Sequence, residues 1–216
     1  MTDTVLLQQG TPEWRQARCG SLGASRIADA MARTKGGSWG ASRANLMAEL
    51  LVERLTGRPT EGYVSAAMQW GIDTEPDAIT EYEFRKGVEV VRVGLIRHPR
   101  IPLTHASPDA FVGAEGLIQV KCPQTATHLD YLISETLPGN YRTQVMWELA
   151  CTGRRWCDFW SFDPRLPERL KVFCTRIERD DAYIAQLEEA VAIFLRELDN
   201  KILQLEKKYG DIRIAA

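Results

Sequence analysis

SPDAFVGAEGLIQVKCP, Ser107 to Pro123, decides how this chain is read. Asp109 follows a proline, and the run GLIQVKC returns after Gly113 and Gly116, a hairpin pattern. Side chains alternate along a strand, so positions 119 and 121 share a face, and the turn carries 119 back beside 109. An acid at Asp109 and an ammonium at Lys121 then converge with whatever stands between them, which here is the neutral Gln119. Were 119 a glutamate, two carboxylates and an ammonium would meet at one point. That set suits a hard cation held by oxygen, with the lysine orienting or deprotonating a water or offsetting charge on a phosphate. On spacing alone, a surface hairpin with ordinary charges explains the pattern equally well.

The rest of the chain sets the frame. Its 216 residues suit a single domain, and 44% hydrophobic with 26% charged residues is the balance of a globular fold. A net charge of −2 shows no overall basicity, which weighs little against a nucleic-acid partner because local patches steer DNA. The start, MTDTVLLQQGTPEW, lacks the basic and apolar regions of a signal peptide, and no run approaches a membrane span, so no membrane partner and a cytoplasmic address are expected. Five scattered cysteines without a CxxC pair, among them Cys122, Cys151, Cys157 and Cys174, read as reduced thiols and argue against zinc. Neither GxGxxG nor GxxxxGK[ST] occurs.

Working outward, Thr11-Pro12 opens a helix with a capping hydroxyl and a first-turn proline, and Gly23-Ala24-Ser25 opens another over ASRIADAMA. RTKGGSWG reads as a basic surface loop or as a flap over a polyanion. SRANLMAELLVERLTG is a helix closed by Gly57, and a longer one runs from about Ser65 to Lys86 and stops at Gly87. Short strands follow in VEVVRV, GLIRH, LTHASPD and GLIQVKC. TATHLDYLISE and NYRTQVMWELACTG read as helices separated by Leu137-Pro138-Gly139, and RRWCDFWSFD and RLKVFCTRIE as strands. The last amphipathic helix is capped by Asp180 or Asp181 and ended by Gly210. The order predicts an α/β fold with a central mixed β-sheet flanked by helices. One domain over 1–216 is expected, with a helical part at about 11–87, a sheet core at about 88–178 and the closing helix at about 180–209.

Pro108-Asp109 and, ten residues on, (Gln)-x-Lys resemble the PD-(D/E)xK nuclease core. Five segments, EWRQARCGSLGAS, AMQWGIDTEPDAITEYE, SPDAF, LIQVKCP and YRTQVMWELA, resemble in order the phage-type alkaline exonucleases of the λ exonuclease (YqaJ) family. The resemblance implies a 5′→3′ exonuclease that degrades one strand of linear duplex DNA to mononucleotides and leaves 3′ single-stranded tails. It also implies Mg²⁺ (with Mn²⁺ as a substitute), a homotrimeric ring around DNA with 5′-phosphorylated ends, and a single-strand annealing partner, in a bacterial host and encoded by phage or prophage. Position by position, it makes Asp109 a carboxylate ligand, residue 119 the second, and the Val120 carbonyl a third. Lys121 falls beside the attacking water, and Glu75 on a helix completes the site. Gln144 and Tyr141 flank it, Arg18 and Ser25 grip the 5′ phosphate, and Met68 falls where an apolar wedge splits the terminal base pairs. Lys35 and Trp39 of the basic loop are candidate DNA contacts, whereas Trp14 and Trp70 read as core or packing residues. The chain departs from the pattern twice, at Gln119 and past Pro123, where Thr127 with His128 adjacent replaces a basic phosphate contact.

Glutamine nearly keeps the shape of glutamate but brings no charge, so metal binding is expected to weaken and hydrolysis to slow by orders of magnitude. Retention of Asp109, Lys121, Glu75, Arg18 and Ser25 favours a deliberately inactivated exonuclease over a natural protein that binds DNA ends without cutting. Arg26, Arg33, Lys35, Arg43 and Arg54 are expected to line the DNA channel. The alternatives are an endonuclease on the same core and a non-catalytic end-binding scaffold.

Overall fold

Helix ends in the computed structural model fall where capping chemistry places them. The structure describes residues 4, 5, 7–60, 62–137, 139–210 and 212. Helix α1 (Pro12–Arg18) begins at Thr11, whose hydroxyl accepts from the Trp14 N–H at 3.3 Å. Ala24–Arg26 forms a 3₁₀ turn that runs into the four-residue α2 (Ile27–Ala30). Helices α3 (Ala41–Thr56) and α4 (Ala66–Lys86) both end on a left-handed glycine, Gly57 at φ 67° and Gly87 at φ 64°. Helices α5 (Thr125–Ser134) and α6 (Gly139–Thr152) follow, and Pro138 between them lies outside the described residues. Asp180 caps α7 (Asp181–Tyr209), which buries Ile184, Leu187, Val191, Phe194, Leu195, Leu198 and Ile202 at helical spacing.

The expected central mixed sheet is present with five strands, in the order β3 (Val90–Arg92), β6 (Ala110–Val112), β7 (Gly116–Lys121), β8 (Trp156–Phe162), β9 (Val172–Glu178). All neighbours are antiparallel except β7 and β8, which run parallel with Gln119 opposite Phe159. The structure adds a second, four-stranded sheet, where one was expected, built from β1 (Thr4–Val5), β4 (Leu95–Arg97), β5 (Thr104–Ala106) and β2 (Leu22–Gly23). The strand run divides because β3 pairs forward with β6, while β4 and β5 pair with each other around a turn holding Pro99 and Pro102. Prolines there cannot donate to a ladder and end the strands early.

Alternation along β7 sorts its side chains between two cores. Ile118 and Val120 pack with Ala78, Ile79 and Tyr82 of α4, whereas Leu117 joins the larger core with Val145, Trp147 and Leu149 of α6 and the apolar face of α7. The sheet is thus sandwiched, and Gln119 points to the α6 side at its C-terminal end. Gly116 at the head of β7 is obligatory, since a Cβ there would meet the Trp156 ring at 2.2 Å. Among the described residues no helix is long and apolar enough to cross a membrane. All five cysteines are free thiols.

Candidate active site

The β6–β7 register pairs Ala110 with Ile118, which brings the preceding residue, Asp109, level with Gln119. Asp109 Oδ2 accepts from Gln119 Nε2 at 2.7 Å and from the Val120 N–H at 2.6 Å. Gln119 Oε1 in turn accepts from Gln144 Nε2 at 2.8 Å, and the same amide nitrogen donates to Glu148 Oε1 at 2.9 Å. The two amides are oriented by their neighbours: the N–H groups of Gln119 and Gln144 face Asp109 and Glu148, and the Gln119 carbonyl oxygen faces the Gln144 N–H. The NH₂ of Gln119 therefore stands directly against the Asp109 carboxylate.

These groups line one pocket of about 220 Å³, where Asp109, Gln119, Lys121, Gln144 and Glu148 meet Gln9, Trp14, Arg18, Ser25 and His105. Burial pushes the Asp109 carboxyl up to about 6; Lys121 pulls it down and Glu75 raises it further. Burial pushes Glu148 up to about 8, with Asp109 adding to the effect. Sequence reading missed Glu148. Its signal was a single acid inside the apolar run VMWELAC, one helical turn from Gln144.

Arg18 and Ser25 line the same pocket. Arg18 Nε donates to His105 Nε2 at 2.9 Å, which leaves His105 Nδ1 to donate to Ser21 Oγ at 2.8 Å. Burial, with Arg18 and Arg97 nearby, lowers His105 to about 3, so the imidazole is neutral and serves to hold the guanidinium. The terminal nitrogens of Arg18 have no hydrogen-bond partner among the described residues, and its guanidinium lies 4.0 Å from the centroid of the Trp14 ring. Gly23 makes this approach possible, because a Cβ there would meet His105 Nε2 at 2.9 Å. Trp14 and Trp70 are half-buried and stand outside the buried core: Trp14 borders the pocket and donates to Gly94 O, while Arg165 lies 4.4 Å over Trp70.

Other candidates lie apart from the pocket. Glu75 is paired with Arg92 at 2.6 Å and borders neighbouring cavities, one shared with Asp109 and one with Val120, Lys121, Met68 and Tyr141. Tyr141 lies under the Lys121 ammonium, 5.5 Å from ring centroid to Nζ. Met68 is exposed. Trp39 is already covered by two guanidiniums, Arg33 and Arg43, each 3.9 Å from its centroid.

His128 is fully buried between Ser161 Oγ and Leu170 O, so it offers no phosphate contact. Most of the expected channel arginines are committed within the chain: Arg26 to Asp29 and Glu49, Arg43 to Glu197 and Ala30 O, and Arg54 to Asp199 and Gly20 O. Arg33 donates to Gly37 O, and the exposed Lys35 has no ion-pair partner among the described residues.

Among the described residues no group of three or more His, Cys, Asp or Glu is arranged to hold a metal ion. The carboxylates that line the pocket, Asp109 and Glu148 with its unpartnered buried Oε2, are oxygen donors of the kind that suits a hard cation and not a soft one.

A model of the YqaJ-like viral recombinase domain matches residues 13–155. The alkaline exonuclease LHK-Exo from Laribacter hongkongensis has been solved alone and with dAMP. This chain is 48% and 47% identical to those structures, with TM-scores of 0.85 and 0.86, over 92% of its own length and 97% of theirs. A phage-related exonuclease from Haemophilus somnus 129PT shares the fold at a TM-score of 0.69 and 16% identity, over 88% of this chain and 99% of that one. No curated protein matches. The match over residues 13–155 and the near-complete overlap with LHK-Exo place the chain in the YqaJ-like viral recombinase domain family, the λ exonuclease type.

Proposed function

We propose that this chain is a divalent-metal-dependent exonuclease. It removes mononucleotides 5′→3′ from one strand of linear duplex DNA and leaves 3′ single-stranded tails for strand annealing in recombination. The observation that carries the reading is the single pocket that joins Asp109, Gln119, Lys121 and Gln144 to Arg18 and Ser25. A terminal phosphate gripped by the free end of the Arg18 fork and the Ser25 hydroxyl sets the register, so that the first phosphodiester falls near Lys121. The complex of LHK-Exo with dAMP, a mononucleotide, supports this class of product.

Asp109, with the Val120 carbonyl and position 119, would hold Mg²⁺ or Mn²⁺, which when bound supplies charge against the phosphate oxygens and a more acidic attacking water. Lys121 keeps its ammonium over Tyr141, where it offsets charge on the phosphate or orients the water. Gln144 fixes the side chain at 119. Glu75, paired with Arg92 through Oε1, would contribute through its other oxygen or after release from Arg92. A homotrimeric ring and a single-strand annealing partner belong to the same reading, with Lys35 as a candidate phosphate contact.

Gln119 taken alone predicts an impaired site. A second reading, end binding without cleavage, draws on the Gln119–Asp109 hydrogen bond, which satisfies Asp109 without a cation. The test gives the chain and its Gln119→Glu variant Mg²⁺ and linear duplex DNA with 5′ phosphates. Release of mononucleotides by either supports the exonuclease, whereas ends bound by both and cut by neither supports the second reading.

A further inference from the structure

Glu148 is a carboxylate placed where packing alone would not place one. It lies on α6 between Trp147 and Leu149, and all three are 0% exposed. Its Oε1 accepts from Gln144, while Oε2 is buried with no hydrogen-bond partner among the described residues. A buried carboxylate oxygen left unmatched is costly, and an apolar residue in the same space would avoid that cost. The residue nevertheless borders the pocket that holds Asp109, Gln119 and Lys121.

The pocket is short of one charge on the strand and carries one in excess on the facing helix. Positions 119 and 148 lie on either side of one amide, since Gln144 Nε2 donates to both. A carboxylate on either side would present negative charge to the same small volume beside Asp109. We propose that Glu148 supplies the second carboxylate of the divalent-cation site, from helix α6, in place of strand position 119. The inference rests on the exonuclease reading of this pocket and deepens it. Gln119 is then a neutral spacer whose amide bridges Asp109 to Gln144, and the chain as written retains two carboxylates for a cation bound through oxygen. Lys121, which lines the same pocket, offsets part of their mutual repulsion.

The test is Mn²⁺ binding to the DNA-free protein, read from the electron paramagnetic resonance signal of free Mn²⁺ at pH 8. Glu148→Gln keeps an acceptor for the Gln144 amide and removes only the charge. It is expected to weaken Mn²⁺ binding about tenfold or more. The exchange variant Gln119→Glu/Glu148→Gln returns the carboxylate to the strand, and is expected to bind Mn²⁺ near the parent affinity. Recovery in the exchange variant also rules out misfolding as the cause of the loss. Equal Mn²⁺ affinity in the parent and Glu148→Gln overturns the proposal. If both also release mononucleotides from duplex DNA, the exonuclease reading survives without it, whereas a parent that neither binds Mn²⁺ nor releases nucleotides sinks both.

Discussion

Gln119 donates to Asp109 across 2.7 Å, and this contact occupies the carboxylate oxygen that also takes the Val120 N–H. Replacing Gln119 by Glu removes the donor and sets a second carboxylate against the first. In the metal-free protein at pH 8, urea denaturation of Gln119→Glu should show a loss of about 1.5–3 kcal/mol, the scale of a hydrogen bond to a charged group. Millimolar Mg²⁺ should recover more stability in the variant than in the parent. Equal melting with and without Mg²⁺ would mean that position 119 does not face a cation.

The pH dependence of stability has a definite sign at this site. Asp109 and Glu148 are raised to about 6 and about 8 in the folded protein, so the native state holds their protons more tightly than the unfolded chain. Their contribution is fully present below the ordinary carboxylate values of 3.8 and 4.5, and is lost as pH rises through about 6 and then about 8. Denaturation in EDTA should therefore show declining stability from these groups over that window, and Glu148→Gln should remove the upper part of the decline. His105, depressed to about 3, acts oppositely: its contribution is lost as pH falls from 6.5 towards 3.

Arg18 uses Nε on His105 and leaves its terminal nitrogens for a ligand. Arg18→Ala should lower the preference for 5′-phosphorylated over 5′-hydroxyl ends by about tenfold to a hundredfold. Arg18→Lys should recover little of it, because one ammonium cannot serve both His105 and a phosphate fork. An unchanged ratio of rates on the two ends would remove Arg18 from the phosphate site.

Arg43 and Lys35 separate structure from binding. Arg43 is nearly buried and bonded to Glu197 and Ala30 O, so Arg43→Ala should destabilise the fold by about 2 kcal/mol or more. Lys35→Ala should leave stability within about 0.5 kcal/mol while reducing the salt slope of DNA binding by about one. The reverse pattern would return Arg43 to the channel.

What was legible in the sequence was what short range decides. Thr11, Asp180, Gly57 and Gly87 set helix ends through their own side chains or φ angles, and the hairpin from 109 to 119 followed from turn residues and alternation. The parallel pairing of β7 with β8 and the division into two sheets depend on partners tens of residues away. Two-residue strands such as Leu22–Gly23 are too short to carry a pattern. Glu148 escaped because α6 reads as an ordinary amphipathic helix until the sheet beneath it is in place. Arg43 and Arg54 read as free positive charge because their acids, Glu197 and Asp199, lie on α7 at the far end of the chain.

Strand-resolved digestion separates end-dependent exonucleolysis from the alternatives. The chain and its Asp109→Asn variant would be given Mg²⁺ with linear duplex DNA bearing 5′ phosphates, and with the same sequence as a covalently closed circle. The account predicts mononucleotides from the linear DNA with the 3′ strand left single, an intact circle, and no product from Asp109→Asn. Cutting of the circle, or equal digestion by Asp109→Asn, would contradict it.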